Sequence, residues 1–252
     1  MNEFEYRIEK SVFERFPGYV RGVVLAWEVT NGASPDELVA QLRAAESHLR
    51  TRLTLEDLTK HPQILAWREA YRKFGAKPSE YRSSIEALAR RVLREQPVPS
   101  INRLVDIGSL VSLRHLVPTG SHAIDVVTQQ LSLRPATGTE DFIPFGEDQV
   151  EHPLPGEIIF VEGETVLTRR WTWRQAEHTL IAAATHALEF NIDGLPPVTV
   201  EQVQEICGEV GDLVKKYCGG TIGCEMLTEQ HPAIWFSPLS PPTVAQSLQT
   251  PS

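Results

Sequence analysis

The stretch Ile101-Asn102-Arg103-Leu104-Val105-Asp106-Ile107-Gly108-Ser109-Leu110-Val111-Ser112-Leu113, followed by His122-Ala123-Ile124-Asp125, decides how the chain reads. Leu104, Ile107, Leu110, Val111 and Leu113 recur at helical spacing, so a helix is predicted over residues 102–116, behind the breakers Pro97 and Pro99. A polar set crosses that apolar period. Asn102, Asp106 and Ser109 stand at offsets of four and three and share one side of the helix. Two accounts are open. In one, Asn102 caps the helix and Asp106 pairs with Arg103 or a neighbouring arginine. In the other, the stripe faces a pocket.

Outward from this helix, residues 19–29 are rich in β-branched and aromatic side chains and end at Asn31-Gly32, which predicts a strand. Ser34 then caps a helix that has Pro35 at its first position and Leu38, Leu42, Ala45 and Leu49 along one stripe. Further helices are expected over 62–74 and 84–95. After the central helix the period changes to that of strands. Residues 123–133 and 179–192 read as strands, and 157–161 with 165–171 as a hairpin about Glu162-Gly163-Glu164. Residues 200–217 return to helix, closed by Gly219-Gly220, and 222–227 give a last strand. Helices and strands mix without βαβ alternation, so the fold class is α+β. One domain is expected over 1–236, with a flexible proline-rich tail over 237–252.

Hydrophobic residues make up 41% of the 252, which excludes wholesale disorder. No apolar run reaches the roughly 18 residues of a membrane span, and the first ten residues are polar and unlike a signal sequence, so the protein is expected to be cytoplasmic. Cys207, Cys218 and Cys224 form no CxxC pair, which indicates neither a disulfide framework nor a zinc site. The net charge of −9 opposes nonspecific nucleic-acid binding, yet its distribution is uneven. Residues 43–114 hold 14 Lys and Arg against 8 Asp and Glu, a balance of +6 that leaves −15 for the rest. A solvated helical surface is the plain explanation; a binding platform is the other.

Phosphate-cradling GxxxxGK[ST] and GxGxxG loops are missing, as are HExxH and the GxSxG nucleophile elbow. Nothing calls for a metal or a cofactor. His178 and His186, at even spacing on an expected strand, are a weak pair for a metal site.

Pro99, Ile101, Asn102, Val105, Asp106, Ile107, Val111 and Leu113, followed by His122, Ala123 and Asp125, resemble the signature of the B3/B4 editing domain of bacterial phenylalanyl-tRNA synthetase. Flanking segments from 79 to 193 fit freestanding members, among them Arg82-Ser83-Ser84-Ile85, Leu133-Arg134-Pro135-Ala136 with Glu140, Gly156-Glu157-Ile158-Ile159 and Arg169-Arg170-Trp171. The resemblance implies an α+β domain of sandwich-like mixed sheets flanked by helices, and an activity that hydrolyses the ester of a mischarged tRNA. It further implies that His122 orders or deprotonates the water, with an ordinary pKa of about 6.5. Asp106 or Asp125 would pair with the α-ammonium, and Asn102, Ser109 and Ser112 would give neutral hydrogen bonds. Glu177 is the candidate for the family's pocket glutamate. Arg82, Arg90, Arg91 and Arg94 would meet tRNA phosphates.

Two departures stand out. Gly108 and Ser109 replace a Thr-Asn pair of the synthetase domain, and two extra residues separate the helix from His122, so a differently shaped pocket is implied. The rival readings are a non-catalytic module that holds tRNA or an amino acid on the same fold, and a small-molecule amidase or esterase.

Overall fold

An eight-residue strand buried along its whole length, β2 (Val20–Trp27), is the axis of the molecule. The computed structural model describes residues 3–241. Before β2 come β1 (Phe4–Ile8) and the short helix α1 (Lys10–Arg15). After it come α2 (Asp36–Arg52), α3 (Pro62–Lys73), α4 (Ser84–Leu93) and α5 (Arg103–His115). Strands β3 (Thr119–Ala123), β4 (Leu131–Pro135), β5 (Ile158–Glu162), β6 (Thr165–Arg169), β7 (Arg174–Gln175) and β8 (Ala187–Gly194) follow. The described chain closes with α6 (Val200–Cys218), β9 (Thr221–Leu227) and β10 (Ala233–Phe236).

The strands form two sheets: an antiparallel sheet of four, ordered β3-β8-β2-β9, and a sheet of six, ordered β10-β1-β4-β5-β6-β7, in which only β1 and β4 run parallel. β2 is apolar but for Arg21 because both its faces are covered. On one face a Cβ at Gly22 would stand 2.2 Å from the Cys207 Sγ of α6, so only glycine lets helix and sheet meet there. On the other face Arg21 reaches the second sheet.

Arg21 is 1% exposed and Asp193 of β8, its partner in the β2·β8 register, 0%. The guanidinium grips both carboxylate oxygens, Nε to Oδ1 at 2.7 Å and Nη2 to Oδ2 at 3.1 Å. Its Nη1 donates to the Tyr6 hydroxyl of β1 at 2.9 Å, and the Tyr19 hydroxyl donates to Asp193. The guanidinium lies 5.1 Å from the Phe160 ring centroid of β5. A buried pair is tolerated only with such complete satisfaction. Beside it Trp171 meets Phe16, Tyr19 and Trp67 edge-on at 4.7, 4.7 and 5.1 Å.

The α+β class, the expected helices and the hairpin about Glu162-Gly163-Glu164 agree with the sequence reading, except that the arm expected over 165–171 ends at Arg169; other details differ as well. Residues 123–133 do not form one strand: β3 and β4 belong to different sheets, and the chain turns between them where Glu162 Oε1 accepts the Thr128 and Gln129 amides at 2.6 and 3.0 Å. The strand expected from 179 begins at Ala187, because 177–186 is a loop held by bonds such as Thr185 Oγ1 to the Ala182 amide at 2.9 Å. Ser34 is not a cap; Pro35 takes that place and the Ser34 hydroxyl donates to Asp106 at 2.6 Å. β1, α1, β7 and β10 have no counterpart in the sequence reading. Of the expected tail, residues from 242 onward lie outside those described, while Ser237 O accepts from Trp27 Nε1 at 2.9 Å.

Removing Asp193 strands the Arg21 charge. Asp193→Ala should lose about 3–5 kcal/mol of unfolding free energy in urea. A loss under about 1 kcal/mol would show that the pair is not the constraint described.

Candidate functional site

The face of α5 that carries Val105, Gly108, Ser109 and Ser112 opens onto a cavity of about 670 Å³. Helical offsets of three, four and seven put these residues on one line, as the sequence predicts for Ser109. The remaining wall is β3 from Thr119 to His122, the β6–β7 corner with Thr168, Trp173 and Gln175, and the loop at Leu180, Ile181 and Ala182. Arg21, Phe160, Trp171 and Asn191, all buried, form the deep end. A Cβ at Gly120 would stand 2.6 Å from Asn191 Oδ1, so glycine is needed for β3 to pass over that amide. Arg21 and Arg174 are the charged side chains among the lining residues; none is acidic.

His122 lies in this wall at 3% exposure. Its Nδ1 is 2.7 Å from the Thr179 hydroxyl and 3.2 Å from Gln175 Nε2. That amide nitrogen also donates to Ser121 O at 3.0 Å, which fixes it as a donor and makes Nδ1 an acceptor. Nε2–H then donates to Thr168 Oγ1 at 3.2 Å, and the Thr168 hydroxyl keeps its own proton for the cavity. Thr168 and Gln175 face each other across β6 and β7. Burial, with the Arg21 charge second and His178 third, pushes the His122 pKa down to about 3. The imidazole is neutral at ordinary pH and a weak base. The ordinary value expected for an exposed histidine does not apply.

Directly opposite His122 in the β3·β8 register is Glu189, 0% exposed. Its Oε1 accepts from Asn191 Nδ2 at 2.8 Å, while Oε2 lacks a good partner. Burial raises its pKa to about 7, against the opposing pull of Arg21. Sequence reading missed Glu189, Asn191, Thr168, Gln175 and Thr179. A signal was present: Glu189, Asn191 and Asp193 alternate with Leu188, Phe190 and Ile192, a polar face on a strand otherwise apolar.

Of the expected pocket residues, Gly108, Ser109, Ser112 and His122 come together and the others do not. Asn102 caps α5, accepting from the Val105 amide at 3.0 Å. Asp106, 0% exposed, accepts from Ser34 Oγ, from Ser100 Oγ and from the Ile101 amide at 2.9 Å, so it fastens the turn before α5 and pairs with no arginine. Asp125 holds the His186 amide at 2.9 Å. Glu177 is exposed and outside the lining; the carboxylate beside His122 is that of Glu189. His178 pairs with Glu162 at 2.7 Å and His186 with Asp125 at 3.2 Å, and among the described residues no group of three metal ligands forms.

The four arginines divide likewise. Arg90 and Arg68 bind the buried Glu86 at 2.9 and 2.7 Å, with Arg82 at 4.0 Å, so Arg90 is turned to an ion pair inside the fold and not to solvent. Arg91 and Arg94 are exposed; Arg91 Nε donates to Pro97 O at 2.7 Å.

A family model, that of the B3/4 domain, matches residues 66–218, more than half of the chain. Among solved structures the chain is similar to an N-terminal fragment of the phenylalanyl-tRNA synthetase beta subunit from Pyrococcus horikoshii, at 11% identity and a TM-score of 0.45. The match covers 86% of this chain and 49% of that fragment, so the chain spans about half its length. No curated protein matches.

The Glu189 pKa, raised from 4.5 to about 7, gives stability that is complete below 4.5 and lost as pH rises through 7. Relative to Glu189→Gln, the wild type should lose up to about 3 kcal/mol of unfolding free energy between about pH 5 and pH 8.5. Parallel stability curves for the two proteins would contradict this.

Proposed function

We propose a function on one premise: the chain belongs to the B3/4 domain family. The function is hydrolysis of the ester of a mischarged aminoacyl-tRNA. What carries it is the cavity beside α5, closed at its deep end by the buried Arg21, Phe160, Trp171 and Asn191 and walled on one side by α4, whose C-terminal end bears the exposed Arg91 and Arg94. The acyl group enters, and the ribose and the chain of phosphates stay outside.

Hydrolysis adds a water oxygen to the acyl carbon, breaks the bond to the ribose oxygen and leaves a proton on that oxygen. The tetrahedral oxyanion needs donors set in place beforehand. The Thr168 hydroxyl supplies a neutral donor at the wall; His122, neutral by burial, locks it in orientation and is itself held by the Gln175 amide, whose protons go to Ser121 O and His122 Nδ1. His122 is thus a positioning residue, and the proton moves through water and the free hydroxyl of the terminal ribose. Glu189 acts on the cavity through Asn191, a lining residue that donates to it at 2.8 Å and stands before an incoming ammonium or side-chain donor. It takes the role first expected of Asp106 or Asp125.

A non-catalytic binding module is the second reading, favoured by one observation: both nitrogens of His122 are engaged inside the protein. Turnover separates the two. Replacing His122 by Ala should lower deacylation of a mischarged substrate tRNA by about 100-fold, with tRNA affinity kept within about twofold. His122→Gln should recover part of the rate, and the wild-type rate should show no inflection from an imidazole near neutral pH. A stable His122→Ala protein that deacylates at the wild-type rate would remove His122 from the mechanism.

Phosphate contact is assigned to Arg91 and Arg94. Reversing both to Glu should weaken tRNA binding and flatten its salt slope by about 1.5 to 2. Unchanged affinity at two salt concentrations would refute the platform.

A further inference from the structure

Two large apolar side chains line the cavity yet stand mostly in solvent: Ile101 and Phe145, each 62% exposed. Single exposed hydrophobics are ordinary, but two at the mouth of one cavity make a local apolar surface. Both are held in place. The Ile101 amide donates to Asp106 Oδ1 at 2.9 Å, so the buried carboxylate sets that side of the mouth. Phe145 rides on the long segment between β4 and β5, where Phe142 and Glu151 exchange backbone bonds at 2.9 and 2.8 Å. The Phe145 amide donates to Gln175 O at 3.3 Å, and Arg174 Nη2 to Glu147 at 2.6 Å.

The wall between mouth and floor is rigid as well. Trp173 lies 4.3 Å from the Arg170 guanidinium, which stacks on the Tyr81 ring at 3.6 Å. Ser84 and Leu88 of α4 complete the lining, and Arg91 follows Leu88 by three residues on the same helix face, with Arg94 three further. The cavity wall thus shares α4 with a basic ridge, while the two charged groups of the lining, Arg21 and Arg174, are cations paired with Asp193 and Glu147. A flat, uncharged ring with an anionic chain attached fits that order; a nucleobase with its phosphodiester is such a group.

We propose that the mouth holds the unpaired terminal nucleobase of the tRNA, stacked on the Phe145 ring with Ile101 beside it. The inference rests on the deacylase reading and adds the subsite that registers the acyl ester over the cavity. Stacking uses the face of the base, so grip comes without sequence readout, and each stacked base adds affinity in a way that alanine substitution exposes.

The test is a titration of the intact protein with the trinucleotide CCA and with the same trinucleotide lacking its terminal base. The wild type should prefer the complete trinucleotide by about tenfold or more, Phe145→Ala should lose that preference, and Phe145→Tyr should keep it. Phe145 is exposed, so a thermal melt of Phe145→Ala should match the wild type and rule out misfolding. Equal affinity of the wild type for both trinucleotides, or full preference retained by Phe145→Ala, would overturn the assignment. The readout needs no turnover: an inactive protein that still selects the base through Phe145 would sink the hydrolysis and keep the subsite.

Discussion

The Arg21–Asp193 pair is the constraint on which the rest depends. Two sheets that face each other through a charged pair can close only if the pair's own donors and acceptors are used. Tyr6, Tyr19 and Phe160 therefore have fixed places, and they tie β1, the turn before β2, and β5 to the four-stranded sheet. The same cation sets the electrostatics next door. It helps burial to hold His122 neutral, and it opposes burial at Glu189 without winning. A site with a neutral imidazole and a half-ionised carboxyl follows from a structural ion pair one layer away.

That arrangement decides the kind of chemistry available. A histidine whose pKa sits at about 3 gives orientation instead of proton abstraction, so on the proposed reading the wall offers the Thr168 hydroxyl as donor and leaves the proton to the substrate's own hydroxyl. Asp106 serves the site indirectly. Its three hydrogen bonds hold the turn that carries Ile101, and so the stripe read from sequence as a pocket lining shapes the mouth from behind.

Much of the fold was legible because local signals agreed with it. The Pro62 start of α3, the Asn102 cap of α5 and the Thr199 to Gln202 capping box of α6 stand where helices begin. The failures have one cause. Segments 123–133 and 177–186 carry β-forming side chains, but the ends of the strands there are set by distant partners, Glu162 and Asp125, that no local pattern shows. The site was half legible for the same reason. Helical spacing found Ser109 and the family resemblance added Ser112, whereas Thr168, Gln175 and Glu189 join them only through sheet register. Glu177 lies near Gln175 in the chain, yet its side chain is exposed. Arginine counting did not show which arginines face outward: Arg68 and Arg90 turn to the buried Glu86.

The central claim is that the cavity empties an acyl group from tRNA. The most direct measurement is the loss of label from a panel of misacylated tRNAs incubated with the intact wild-type protein, with binding of the same tRNAs recorded alongside. The account predicts that at least one is deacylated at a rate proportional to protein concentration while correctly charged tRNAs survive. A panel bound but untouched, with half-lives equal to those without protein, would contradict it and leave a binding module in its place.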